Sequence, residues 1–397
     1  MKKVLYIGNF MFPDKNAAAN RVVSNGRVFR ALGYEVDFIG IQKGIGGNLL
    51  EHKEEYDGFT GYHLSTPQGI KGWLFYKHAF QKVLPYLEQE KEHLEIIVMY
   101  GCPSLSLFGG LLRKWCKKHG VLLLSDAVDW LSANTGSPLY RMIKYLDTLY
   151  LKAYLYPKTD GVIAVSSYLE RYYRKRGCPV VRIPPLVKKE TPVEVAENRG
   201  DCVHIVYAGI PFALNGMKVK KDTYKDRLDI TVGLLGKVKH PFRFDIYGLT
   251  KEQYLGVIEE QGELLEQTKD RIFFHGSVDN LTVKKAIMQA DFTVFLRDRN
   301  IGTMAGFPTK FAESMCLGTP VITTDTSDLA EYLKQGENGF FLDIDNEQES
   351  LERVEEIVSL TGDQLSQMKE ACQKETGFSY ESYVEPLKLF LSSLNQR

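Results

Sequence analysis

The densest group of residues able to do chemistry lies between Arg297 and Asp325, in the run RDRNIGTMAGFPTKFAESMCLGTPVITTD. A loop containing Gly302 and Gly306 passes through Phe307 and Pro308 into a helix expected to start near Thr309, and Gly318 with Pro320 ends it. A helix start offers unpaired backbone amides and the positive end of the peptide dipoles, which suits a diphosphate; Lys310 adds a charge there, and Arg297 opens the segment with another. Glu313 stands four residues after Thr309, on the same helical face, where a carboxylate can accept two hydrogen bonds from the vicinal hydroxyls of a ribose. A plain structural reading also stands: Thr309 as N-cap, Glu313 as an exposed helix acid, and Phe311 with Met315 as core contacts.

A second group follows the apolar run 203–207 and reads AGIPFALNGMKVKKDTYKDRLDITVGLL. Gly209, Gly216 and the cations Lys218, Lys220, Lys221, Lys225 and Arg227 precede a helical pattern; they are either a pyrophosphate clamp or a solvated basic loop. A third is Asp126 and Asp129 in the run SDAVDW at 125–130, placed to act as a base, to hold an incoming hydroxyl or to cap a helix. The loop 8–13 leads into a helix over 17–32, but no Gly-x-Gly-x-x-Gly follows the first strand, so a dinucleotide site is disfavoured. His275 reads as a base or phosphate contact or, more simply, as a satisfied core histidine. The segment 137–157 mixes aromatic and apolar residues with Arg141, Lys144 and Lys152, which fits packing against a sheet or contact with a membrane surface.

These groups sit at the ends of short apolar runs, and the runs define the elements that must hold them. Runs at 4–8, 35–40, 95–100, 121–125, 161–165 and 180–183 alternate with helix-length stretches, and a second series follows at 203–209, 242–248, 271–275, 292–296, 320–323 and 339–342. Alternation of this kind predicts parallel sheets covered by helices on both faces, here two doubly wound α/β domains. Ligands of such sheets bind beyond the carboxyl ends of the strands. The Pro-Pro pair at 184–185 and the polar run to Asp201 mark a linker. The expected division is 1–185, 186–378 and a terminal helix in 379–397.

The chain has 397 residues, 50 Lys and Arg against 50 Asp and Glu, and no long basic stripe, which argues against nucleic acid. Six dispersed cysteines, Cys102, Cys116, Cys178, Cys202, Cys316 and Cys372, fit neither a disulfide framework nor a metal knuckle and point to a reducing cytoplasm. No apolar run approaches the roughly 20 residues of a spanning helix.

The run GFPTKFAESMCLGTPVI at 306–322 closely resembles the donor-site motif of family 4 retaining glycosyltransferases of the GT-B fold. Weaker features follow in the family's order: the loop at Gly8, GVIAVS at 161–166, Tyr207-Ala208-Gly209, Tyr247-Gly248, His275-Gly276 and EYLKQGENG at 331–339. The resemblance implies two Rossmann-like domains facing a cleft. A nucleotide diphosphate sugar, most simply a UDP-sugar, would bind the second domain, and a glycan or lipid-linked acceptor the first. The last helix would cross back to the first domain. It implies transfer with retention, without a metal or other cofactor, in cell-surface polysaccharide or glycolipid synthesis at the inner face of a membrane. Carried over, Glu313 binds ribose, Thr309 and Lys310 meet the diphosphate, Lys221 or Lys225 is the phosphate lysine, and Asp129 is the acid of the first domain. Two positions depart from the family: Ala305 where it has a glutamate eight residues before Glu313, and Val128 where relatives often have His or Arg. Backbone amides of 304–308 would then hold the sugar hydroxyls. The rival readings are a sugar-nucleotide 2-epimerase, a non-catalytic sugar-nucleotide or glycan binder and, more distantly, a nicotinamide-dependent oxidoreductase.

Overall fold

The computed structural model describes residues 2–65, 78–101, 105–130, 138–188, 202–214 and 221–394. The chain forms two compact units. The first comprises Met1–Lys188, Ala305–Phe307 and Phe378–Arg397, and the second Lys189–Met304 and Pro308–Gly377. Residues 189–201 of the expected linker, together with Cys102, Ser137, Gly216, Lys218 and Lys220, lie outside the described residues.

The first unit is built on an eight-stranded sheet of order β3-β4-β2-β1-β5-β6-β7-β8. Its strands are β1 (Lys3–Gly8), β2 (Glu35–Gln42), β3 (Lys53–Tyr56), β4 (Phe59–Ser65), β5 (Leu94–Tyr100), β6 (Leu122–Ala127), β7 (Gly161–Ala164) and β8 (Val180–Arg182). All pair in parallel except β3, which runs antiparallel to β4. Every residue of β1 is buried, as a central strand covered by helices on both faces requires. The covering helices include α1 (Ala17–Ala31), α2 (Ala79–Glu90), α3 (Leu105–His119), α4 (Pro138–Tyr150) and α5 (Ser167–Arg174). The β3–β4 hairpin adds to the elements expected from the sequence: Asp57 and Gly58 both take positive φ, 51° and 74°, as a tight hairpin turn requires.

The second unit carries a parallel sheet of order β11-β10-β9-β12-β13-β14. Its strands are β9 (Val203–Ala208), β10 (Phe242–Tyr247), β11 (Ile272–Gly276), β12 (Phe292–Phe295), β13 (Val321–Thr323) and β14 (Gly339–Phe341), one for each apolar run of the second half. Between and after them come α6 (Leu228–Lys237), α7 (Lys251–Leu255), α8 (Gly262–Gln267), α9 (Asn280–Gln289), α10 (Ile301–Ala305), α11 (Thr309–Cys316), α12 (Glu347–Val358) and α13 (Gly362–Gln373).

The last helix, α14 (Val384–Leu394), folds with the first unit. Its Leu387, Phe390, Leu391 and Leu394 join a core cluster that includes Tyr6, Val22, Val28 and Ile163. A Cβ on Gly161 would sit 2.5 Å from the Phe390 ring, so β7 needs a glycine to admit the helix. Phe390→Ala is expected to cost about 3–5 kcal/mol of first-domain stability, read as a lower midpoint in urea unfolding.

Candidate functional site

In the second unit, a cavity of about 310 Å³ opens beside the carboxyl ends of β9, β10 and β12. Val206 and Ala208 of β9 and Tyr247 of β10 form one wall, Val283 and Ile287 of α9 another. Thr309, Lys310, Glu313 and Ser314 of α11 close a third side, and Gly209 and Gly248 form the rim. Thr293 Oγ1 at the pocket wall is buried and has no hydrogen-bond partner among the described residues, leaving a polar atom for a ligand. Tyr247 stacks on His275 with ring centroids 4.5 Å apart. The buried Asp245 accepts from His275 Nε2 and from His204 Nε2, each at 2.6 Å, so His275 is satisfied within the sheet and supports Tyr247 from behind.

Helix α11 begins without a side-chain cap. Pro308 holds the N-cap position and can offer no side-chain acceptor, so Thr309 is the first helical residue, which corrects its reading as a cap. Within the first turn the Phe311 amide donates to the Pro308 carbonyl at 3.0 Å, and the start of the helix lies next to the pocket with no side chain capping it. Glu313, one turn on, is open to the pocket but closely surrounded by protein. That burial raises its carboxyl above the ordinary range, with Lys284, Lys310 and Lys225 opposing.

A residue that sequence reasoning passed over organises this corner. Asp226 is fully buried, and its carboxylate accepts from Tyr207 Oη at 2.9 Å, Arg297 Nε at 2.8 Å and Lys310 Nζ at 2.5 Å. Burial opposes its charge, yet the Lys310 ammonium and Arg297 guanidinium hold its carboxyl far below the usual range. The Lys310 amine also lies 4.2 Å from the Tyr207 ring centroid. Burial pushes that amine down to about 8; Asp226 holds it up, and Arg297 and Lys225 press it further down. Gly209 makes the approach possible: at φ 142° it has no Cβ, and one placed there would sit 2.6 Å from Lys310 Nζ. An acid set between two basic residues, Lys225-Asp226-Arg227, was the signal available in the sequence.

The structure brings Thr309, Lys310, Glu313 and Gly209 together at the pocket, with Arg297 joined to them through Asp226. Lys225 is exposed and near enough for its charge to act on both Lys310 and Glu313. Lys221 stands apart from them, its amine 3.6 Å from Glu260 on the surface. Gly306 and Phe307 do not line this pocket: residues 305–307 fold with the first unit, where Phe307 packs on Phe378 and the Ala305 carbonyl accepts from Ser166 Oγ. Pro308 contributes the uncapped helix start and is not itself part of the pocket lining.

In the first unit the two candidate acids separate. Asp126 is 1% exposed and accepts from Arg21 Nη2 at 2.8 Å, Tyr6 Oη at 3.1 Å and Asn25 Nδ2 at 3.2 Å. It is a closed internal ion pair, which corrects its reading as a base. Asp129 is exposed, and beside it Trp130 lies edge-on to Tyr172 at 4.9 Å and under the Lys152 amine at 4.4 Å. Burial pushes that amine down to about 8, Asp129 opposing. A buried amine near Asp129 was not read from the sequence, where Lys152 looked like one more surface cation.

Asp226→Asn leaves two cations facing a neutral amide, and a loss of about 3–5 kcal/mol in second-domain stability is expected from chemical denaturation.

Residues 224–375 match the family model described as "Glycosyl transferases group 1". A putative colanic acid biosynthesis glycosyltransferase, WcaL, from Salmonella typhimurium strain LT2 is 23% identical, the match covering 92% of each chain. Sucrose-phosphate synthase from Thermosynechococcus elongatus superposes with a TM-score of 0.68 at 15% identity, covering 100% of both chains. Anabaena Alr3699/HepE in complex with UDP gives 0.65 at 15% identity over 99% of this chain and 100% of that one. With the two parallel-sheet domains described above, the chain has the GT-B fold, and its residues 224–375 are similar to the group 1 glycosyl transferases.

Proposed function

We propose that the protein transfers a sugar from a UDP-sugar to a glycan or lipid-linked acceptor, with retention at the anomeric carbon, in the synthesis of a cell-surface polysaccharide or glycolipid. The observation that carries this reading is the convergence of the uncapped start of α11, Lys310 and Glu313 on one pocket of the second domain. Such a corner suits a nucleoside diphosphate: amides and a lysine for the phosphates, a carboxylate one turn on for the ribose hydroxyls, and apolar walls with Tyr247 for the base. The UDP complex of the HepE structure and the polysaccharide role in the name of the WcaL relative support the choice of donor and pathway class.

Departure of UDP is the step in which most charge develops. Lys310, Lys225 and the first-turn amides of α11 would face that charge with fixed positive groups, and a metal is not needed for this role. Lys310 can turn from Asp226 to the diphosphate without leaving the acid alone, because Arg297 and Tyr207 stay bonded to it. The acceptor is assigned to the first domain, where Asp129, exposed beside Trp130 and Lys152, would hold its hydroxyl. The departing phosphate takes the hydroxyl proton as the new glycosidic bond forms and the bond to UDP breaks.

A thermal-shift panel of UDP, GDP, ADP and NAD tests the donor. UDP is expected to raise the midpoint, and Glu313→Ala to weaken UDP by about tenfold to a hundredfold, the worth of hydrogen bonds to a charged group. Release of free sugar or of a new glycoside from the UDP-sugar, abolished in Glu313→Ala, supports transfer; conversion to an epimer without an acceptor contradicts it.

The Lys310 amine, normally near 10.5 and here about 8, sets a pH dependence. It is charged below that pH and neutral above it, so UDP affinity should be flat in the acid range and fall by up to about tenfold per pH unit above it. Lys310→Arg should keep the affinity flat to high pH, both proteins being read by isothermal titration calorimetry with UDP across pH.

A further inference from the structure

We propose that α4 and its neighbourhood in the first domain form a docking face for a bilayer containing anionic phospholipid. Large apolar side chains that stay exposed are unevenly spread over the molecule: of the eleven such residues among those described, Leu139, Met142, Tyr145, Leu146, Leu149 and Tyr154 fall in one stretch of sixteen. Each of these six is 46–59% exposed. At 100° per residue, the five on α4 itself occupy a sector of about 120°, a continuous apolar stripe along the helix. Lys144 and Thr148, on the opposite side of the helix, are half-buried, and Leu151 in line with them is buried, so the helix packs through that side and turns the stripe outward.

The charge around the stripe names the partner. Residues 105–158 carry eight Lys and Arg against three Asp, in a chain that is neutral as a whole. Arg141, exposed on α4, borders the stripe. Helix α3 packs against α4 and has Leu111, Lys114 and Lys118 on one exposed face. The Lys158 amine lies 3.6 Å from the ring centroid of the exposed Tyr154, an aromatic and a cation side by side as at a lipid headgroup layer. A helix with exposed Leu, Met and Tyr bordered by lysines matches an element lying in the plane of an anionic interface. No helix among the described residues is long and apolar enough to cross a membrane, which leaves the in-plane arrangement.

The test uses the full chain sedimented with vesicles of phosphatidylcholine alone or with about 30% phosphatidylglycerol, at low and high salt. The wild type should bind the anionic vesicles, bind the neutral ones at least about tenfold more weakly, and be released by salt. The exposed-site variant Met142→Ser/Leu146→Ser/Leu149→Ser and the charge variant Lys114→Gln/Lys118→Gln/Arg141→Gln should each lose about tenfold in partitioning with an unchanged thermal transition. Failure of the folded wild type to bind anionic vesicles would overturn the proposal. So would a concentration-dependent dimer, seen by sedimentation equilibrium and dissolved by the serine variant, because a second copy would then cover the face.

Discussion

The second domain is organised around one buried carboxylate. Asp226 has no exposed surface, and a lone charge there would be too costly to keep, so the chain brings Arg297 to it from the loop after β12 and Lys310 from the first turn of α11. This single requirement fixes the loop after β9, the loop after β12 and the first turn of α11 against one another. Gly209 is the steric condition for it, since a side chain there would meet the Lys310 amine. The lysine is thereby delivered to the pocket wall with its charge compensated but only part of its surroundings filled, which is how a site can hold a cation ready for a diphosphate without unfolding around it.

The first domain uses a similar device to a different end. Asp126, at the end of β6, is grasped by Arg21 from α1 and by Tyr6 and Asn25, all of them buried. Here the network is closed, and it ties α1 to the carboxyl end of the sheet. Three residues later the chain emerges, and Asp129 with Trp130 and Lys152 forms the open counterpart. In each domain a buried acid fixes the frame beside a more open group of polar residues.

Much of the fold could be read in advance because parallel strands buried on both faces leave continuous apolar runs, and each of the twelve runs became a strand. The β3–β4 hairpin escaped because Lys53, Glu54 and Glu55 hide an edge strand behind charge, although Asp57-Gly58 was a legible turn signal. Within the site, helix periodicity put Glu313 and Thr309 on one face, and both line the pocket. Periodicity says nothing of which cation in a basic run turns inward. Lys221 and Lys225 were equivalent in sequence, yet one is held on the surface by Glu260 and the other lies by the pocket. Asp226 and Lys152 were missed for a related reason: burial of a charged side chain depends on partners distant in the chain, and these partners are 71 and 84 residues away for Asp226.

The central claim is that a nucleoside diphosphate lies against the start of α11 with Lys310 turned toward it. Hydrogen–deuterium exchange of the full chain with and without saturating UDP tests this most directly. The expected result is slowed exchange in 208–209, 247–248 and the first turn of α11, with the first-domain sheet unchanged. Slowed exchange confined to other segments, or none at a UDP concentration far above that of the protein, would contradict it.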